Sequence, residues 1–214
     1  MRRINKGASP DWFEVWKADF RARNGREPEY KTDFDDDVRW RLRKDLLEEQ
    51  GYICCYCMKK INNKTSHIEH FWPKSQFEEK DMDYTNMLAS CQGDQGEEHC
   101  GHKKDNWYVP DMVIPTDATI EGMFSYQENG DISPKGENRK SWLGKQMIEH
   151  LALDSFHLVR NRRNAIEASE VYDAAEHDDA EIRDFIDYYD HKVDGKYVPF
   201  CQCIIDCLTR QLSE

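Results

Sequence analysis

The stretch that decides how this chain is read is Cys54-Cys55-Tyr56-Cys57, followed by His67-Ile68-Glu69-His70-Phe71-Trp72-Pro73-Lys74, Tyr84-Thr85-Asn86-Met87-Leu88, Cys91, and His99-Cys100-Gly101-His102-Lys103-Lys104. Cys54 and Cys57 are spaced as Cys-x-x-Cys, which lets two thiolates from one tight turn reach a single tetrahedral zinc. Cys91 and Cys100 supply a second pair, separated by the polar octet Gln92 to His99. That octet is wider than a second knuckle usually needs, so His99 or His102 stands as an alternative ligand, as do free core thiols. No secretion signal opens the sequence, which places these cysteines in a reducing compartment, where clustered thiols more often hold metal than form disulfides.

Between the cysteine pairs lie residue types that phosphodiester cleavage requires. The reaction needs a base to activate water, a divalent cation to polarise the phosphate and stabilise the leaving oxygen, and groups that orient the base. His70, Glu69, Asn86 and His102 can supply those parts. On an alternating strand Glu69 and His70 face opposite sides, so a bend near Pro73 or a metal has to bring them to one centre. The alternative for His67 and His70 is that they only complete a zinc site.

This order of motifs resembles the HNH endonucleases, and more narrowly the PtuB family of HNH proteins from the Septu anti-phage system and related effectors encoded beside some retrons. The motif core spans residues 54 to 104. Arg3-Ile4-x-Lys6-Gly7 and the Leu-Val-Arg-x-Arg run at 158–162 extend a weaker likeness over most of the chain. The resemblance implies a small zinc-stabilised ββα-metal module embedded in a mostly helical α+β domain. It implies His70 as general base and Glu69 and His102 as ligands of a catalytic Mg2+ or Mn2+, with His102 taken as the last motif residue because a helix is expected to begin around it and His99 as the alternative. Asn86 would orient the base or the metal, and Cys54, Cys57, Cys91 and Cys100 would hold a structural zinc. His67 and His99 remain possible further ligands. The simple pattern puts a histidine directly after the last zinc cysteine, where this chain has Gly101. Lys74, Lys103 and Lys104 are candidate contacts to nucleic-acid phosphate. The implied activity is DNA cleavage by an antiviral-defence effector. Its implied partners are a PtuA-like ATPase of the ABC/SMC type and, in a retron setting, a reverse transcriptase with its msDNA. The competing reading is a non-catalytic zinc-ribbon that binds nucleic acid or acts as an adaptor.

Outward from this core, the 214 residues divide into an N-terminal helical segment (1–51), the HNH zinc/nuclease module (52–110) and a C-terminal hairpin and helical, acidic region (111–214), together one compact mixed domain. Ser9-Pro10-Asp11 reads as a helix start, with Trp12, Trp16 and Phe20 on one face up to Asn24-Gly25. Asp35 to Asp37 begin a second helix, in which Val38, Leu42 and Leu46 form a stripe ending at Gly51. The aromatic stripe of Trp12, Trp16, Phe20 and Trp40 is expected to be core. Asn129-Gly130 signals a hairpin over 126–133. Helical patterns follow at 140–152, 155–177, 179–190 and 199–212, and Cys201, Cys203 and Cys207 in the last are expected to be buried thiols.

The formal net charge is −12, and it is unevenly placed. Residues 1–50 carry 12 basic and 12 acidic side chains, 51–110 carry 7 and 9, and 111–214 carry 11 and 21. Phosphate binding is mostly cationic neutralisation, so the C-terminal half is a poor DNA surface and a better candidate for meeting a protein partner. No apolar run approaches the roughly 20 residues that span a bilayer, so the chain is expected in the cytoplasm.

Overall fold

The computed structural model describes residues 1–94, 96–169 and 177–213. Two helices precede the cysteine region. Helix α1 (Asp11–Asn24) ends at Gly25 in the left-handed conformation, and α2 (Asp36–Gln50) starts where the Asp35 carboxylate accepts the Val38 N–H. Val38, Leu42, Leu46 and Leu47 bury one face of α2, as its periodicity predicts. The aromatic stripe of α1 behaves differently. Phe13 is its fully buried residue, packed edge-on against Phe34, whereas Trp12 and Trp16 are only half-buried. Trp40, expected in the core, is 47% exposed on the far side of α2. Ser9 does not cap α1; Pro10 occupies the cap position and no side chain closes it.

Gly51 ends α2 at a φ of +66°, and a Cβ there would stand 2.7 Å from the Tyr197 ring. The chain then turns sharply. Ile53 bridges Lys60 in antiparallel fashion, and Cys54 and Cys57 project from the loop between them, closed by Cys54 N–H to Lys59 O (2.9 Å) and Met58 N–H to Cys54 O (3.0 Å). Strands β1 (Ser66–His70) and β2 (Met87–Cys91) pair antiparallel, with Ser66 opposite Cys91 and His70 opposite Met87. The sheet has only these two strands, and a two-stranded ribbon alone is marginal in water. Buried Gln50 compensates. Its side chain accepts the Ala89 N–H at 2.7 Å and donates to the Ala89 and Ile53 carbonyls at 2.9 and 3.0 Å, tying the open edge of β2 to the end of α2. A one-turn helix, α3 (Gly101–Lys104), follows Cys100 at the place where a helix is expected around His102.

The C-terminal half contains the expected hairpin, β3 (Phe124–Tyr126) with β4 (Ile132–Pro134), closed through Gly130 at φ +89°. Helices α4 (Asn138–His150), α5 (Phe156–Glu167), α6 (Asp179–Asp190) and α7 (Cys201–Thr209) complete the chain. A capping box between Asp178 and Glu181 fixes the start of α6. The expected continuation of α5 through Val171 lies outside the described residues. Cys201, Cys203 and Cys207 are buried in α7 as thiols of the core. This half is joined to the cysteine region through backbone bonds: Cys100 N–H to Leu151 O at 2.8 Å and Phe200 N–H to Met58 O at 3.1 Å. Met1 is buried beside Tyr126, and Arg2 pairs with Asp190, so the first residues are packed against the last helices. The architecture is mixed α+β, helices around two small sheets, and among the described residues no helix is long and apolar enough to cross a membrane.

Candidate functional site

The knuckle, the end of β2 and the start of α3 bring four sulfurs together. The Sγ atoms of Cys54, Cys57, Cys91 and Cys100 all lie within 4.8 Å of one another and all four residues are buried. Cys57 and Cys91 stand 3.8 Å apart. Thiolates about 2.3 Å from one tetrahedral zinc are separated by roughly 3.8 Å, so the donor set fits a structural metal such as zinc. The wide octet between Cys91 and Cys100 is explained by His99. It is fully buried, with Nδ1 at 3.1 Å from Cys100 Sγ and 3.5 Å from Cys91 Sγ and Nε2 at 3.3 Å from Asp94, which in turn pairs with Lys59. His99 therefore borders the thiolates from outside, as hydrogen-bonding neighbours of metal ligands do.

A separate cavity of about 230 Å³ opens on the other side of α3. His67, Glu69, His70, Lys74, Gly101 and His102 line it. His102 is thus part of this cavity and His99 is not. His67 and Glu69 share a face of β1, with Nε2 and Oε2 3.6 Å apart, and the His67 and His102 ring centroids are 4.4 Å apart. Gly101 explains its own departure from the simple motif. A Cβ there would sit 2.5 Å from His67 Nε2 and 2.6 Å from Glu69 Oε2, so a side chain at this position would displace those two groups.

His70 is 5% exposed at the strand end, and its ring meets Tyr30 edge-on at 4.6 Å. Its Nε2 lies 2.9 Å from the Asp81 carbonyl. A carbonyl only accepts, so Nε2 carries the proton and Nδ1 is the basic nitrogen, left without a hydrogen-bond partner. Burial, with Lys74 nearby, lowers the His70 pKa to about 4, so the ring is neutral at neutral pH. Glu69 is buried as well. Burial pushes its carboxyl up, but His67 and Lys104 outweigh it and hold the group below its usual range.

Asn86 is fully buried, is not among the residues that line the cavity, and spends its side chain on backbone groups. Its Oδ1 accepts the Trp72 N–H at 2.8 Å and its Nδ2 donates to the Trp72 and Lys80 carbonyls at 3.0 Å each. It clamps the loop that turns the chain away after His70 and carries the Asp81 carbonyl. Asn86→Ala strips three part-buried backbone groups of their partners, and at about 1–3 kcal/mol for each unsatisfied group, less where water reaches it, it should destabilise the fold by about 2 kcal/mol in thermal melts. Unchanged stability would show that the loop is held by something else.

The three candidate phosphate lysines separate. Lys74 lines the cavity and Lys103 is exposed, but Lys104, expected at the surface, is 1% exposed. Its ammonium donates to the His70 carbonyl at 3.0 Å and lies 3.0 Å from Glu69 Oε1. Tyr56, which motif reading passed over as a spacer between cysteines, donates its hydroxyl to the same Oε1 at 3.0 Å. Its place inside Cys-x-x-Cys was the only available signal, and spacing says nothing about the direction of a side chain.

The chain is 33% identical over 132 residues to a Vibrio cholerae serotype O1 biovar El Tor protein named "Retron Vc95 putative HNH endonuclease", a match covering 59% of this chain and 63% of that one. It is 25% identical over 155 residues to an Escherichia coli protein named "Retron Ec83 putative HNH endonuclease", covering 69% of this chain and 54% of that one. The chain thus spans somewhat over half the length of these curated relatives. No family model matches it. Both relatives carry the name of an HNH endonuclease.

Proposed function

We propose that the chain is a divalent-cation-dependent HNH endonuclease that hydrolyses phosphodiester bonds of DNA, as the nuclease of a retron-type anti-phage defence system. One observation carries the reading: Glu69, buried neutral His70 and His102 converge on one polar cavity beside a four-thiolate cluster. The residues form a ββα arrangement, β1 presenting Glu69 and His70 and α3 presenting His102, with zinc in the thiolates fixing the strands to the helix. In this reading His70 Nδ1 takes the proton from the attacking water while the Asp81 carbonyl keeps Nε2–H in place. Glu69 and His102 would hold the catalytic Mg2+ or Mn2+, which when bound supplies charge for the leaving oxygen. Lys74 in the cavity wall and the exposed Lys103 would contact the incoming phosphate, and Asn86 shapes the loop beneath the base.

The test is nicking of supercoiled plasmid by the zinc-loaded chain with and without added Mg2+ or Mn2+. His102→Ala should reduce nicking at least about tenfold, the usual scale for loss of a group that supports a catalytic metal. His99→Ala should instead lower zinc retention and thermal stability. Equal nicking by His102→Ala and wild type removes His102 from the site, and a zinc-loaded chain that binds DNA but never nicks it supports the adaptor reading.

The acidic C-terminal region is proposed to dock a partner that brings the substrate. Supporting this, Trp142, Phe156, Tyr188 and Val193, between 41% and 69% exposed, all lie beyond residue 138. Because α4, α5 and α7 also supply buried core residues, point changes are a cleaner probe than deletion. Co-purification with proteins encoded beside it, an ABC/SMC-type ATPase or a reverse transcriptase with msDNA, should weaken in a Trp142→Ser, Phe156→Ser, Tyr188→Ser chain. Undiminished capture by the folded variant places the interface elsewhere.

A further inference from the structure

Glu69 does not offer both of its oxygens to the cavity. Oε1 is occupied by two buried donors, the Tyr56 hydroxyl and the Lys104 ammonium, each at 3.0 Å. Oε2 is left on the side of His67, 3.6 Å from Nε2. The missing Cβ of Gly101 keeps the helix start from filling the space next to these two atoms. Nothing else fixes the His67 ring through its other nitrogen, because Nδ1 is buried without a hydrogen-bond partner. The His102 ring stands next to it at 4.4 Å, tilted by 53°. Two donors about 2.1 Å from one cation are separated by roughly 3.0 Å at a right angle and roughly 3.4 Å at the tetrahedral angle, so 3.6 Å lies within a small side-chain adjustment of a shared ion.

We propose that His67 is a third ligand of the catalytic cation, giving a site of two imidazoles and one monodentate carboxylate that selects Mn2+ over Mg2+. The inference rests on the cation-dependent nuclease reading above and adds a residue and an ion preference to it. Mn2+ also takes oxygen ligands but, as the softer ion, accepts imidazole more readily than Mg2+, which keeps several waters and demands near-ideal octahedral geometry. Tyr56 and Lys104 contribute by position: with Oε1 occupied, Glu69 cannot close on an ion in bidentate fashion, and the nitrogen share of the site stays high.

Binding can be read apart from cleavage. Mn2+ is titrated into the zinc-loaded, full-length chain and followed by loss of the free-ion electron paramagnetic resonance signal, with Mg2+ added as competitor. The wild-type chain is expected to bind Mn2+ at least about tenfold more tightly than Mg2+. His67→Ala should weaken Mn2+ by about 10–100-fold while changing Mg2+ little, and His67→Asp, which replaces nitrogen by oxygen, should bring the two ions within about threefold. Circular dichroism and zinc content establish that each variant is folded; if His67→Ala is not, the ratio measured on His67→Asp decides. Wild-type affinity for Mn2+ in His67→Ala, or a preference unchanged in His67→Asp, overturns the assignment. If that result comes with normal Mg2+-dependent nicking, the nuclease reading stands and only His67 is lost from the site. If the wild-type chain neither binds a cation outside the thiolates nor nicks DNA, both readings fall.

Discussion

His70→Ala should abolish DNA cleavage while leaving fold and zinc content close to wild type. The ring sits at the end of β1, pinned through Nε2 to the Asp81 carbonyl and packed against Tyr30, so truncation removes a base and leaves the strand register intact. General-base catalysis contributes typically about 10²–10⁴-fold, which would bring nicking to the floor of a plasmid assay. The pH profile gives an independent check. A lowered pKa means that the folded chain stays deprotonated at His70 as pH falls below 6.5 and gains the proton only near 4. The acid limb due to this group should therefore lie well below 6.5. Appreciable nicking by a zinc-loaded His70→Ala chain would sink the assignment of the base, and an acid limb centred at 6.5 would show that another group controls the profile.

Cys57→Ala should produce the opposite phenotype, with loss of the metal and of the fold together. Its sulfur is one of four that close a buried cluster joining the knuckle, β2 and α3, and the sheet beneath them has only two strands. In small metal-organised modules the binding free energy, about 10–16 kcal/mol for zinc-finger peptides at neutral pH, is largely folding free energy. A three-thiolate remnant would retain part of that. The expected result is a substoichiometric zinc content, a melting temperature lowered by well over 10 °C, and cleavage lost as a consequence of unfolding. Because α1 and α2 and the C-terminal helices have their own buried contacts, residual helical circular dichroism is expected to survive. A stable Cys57→Ala protein with one zinc per chain would show that the thiolates do not form the site.

What motif spacing conveyed and what it could not are separated clearly by His99 and His102. Both flank Cys100 at the correct distance for either role, and a sequence gives no means of choosing. The two are separated by the positive-φ turn at Cys100, φ +57°, which leaves His99 against the thiolates and His102 on α3 in the cavity wall. Gly101 looked like a missing histidine, and in three dimensions it is the point where a Cβ would push against the side chains of His67 and Glu69. Lys104 and Tyr56 illustrate the same limit. One looked like a surface lysine and the other like a spacer, yet both end on Glu69 Oε1.

The sequence by itself determined the elements whose causes are local. Asp35 before an apolar stripe and Gly51 after it bounded α2; Asn129-Gly130 gave the hairpin; a helical pattern over 179–190 marked α6; and paired cysteines announced a metal-type cluster. Each depends on dihedral preference, periodicity or spacing within a few residues, which a linear string records. Tertiary structure alone decided which polar side chains face one another. Glu69 and His70 alternate on the strand, and which groups answer them depends on a register with β2, a loop clamped by Asn86 and a helix held 35 residues away in sequence by sulfur. Trp40 shows the same in reverse, 47% exposed on α2 despite its helical spacing. Burial and hydrogen bonding are properties of assembled surfaces, and long-range pairings of this kind are set by packing energy that no single segment carries.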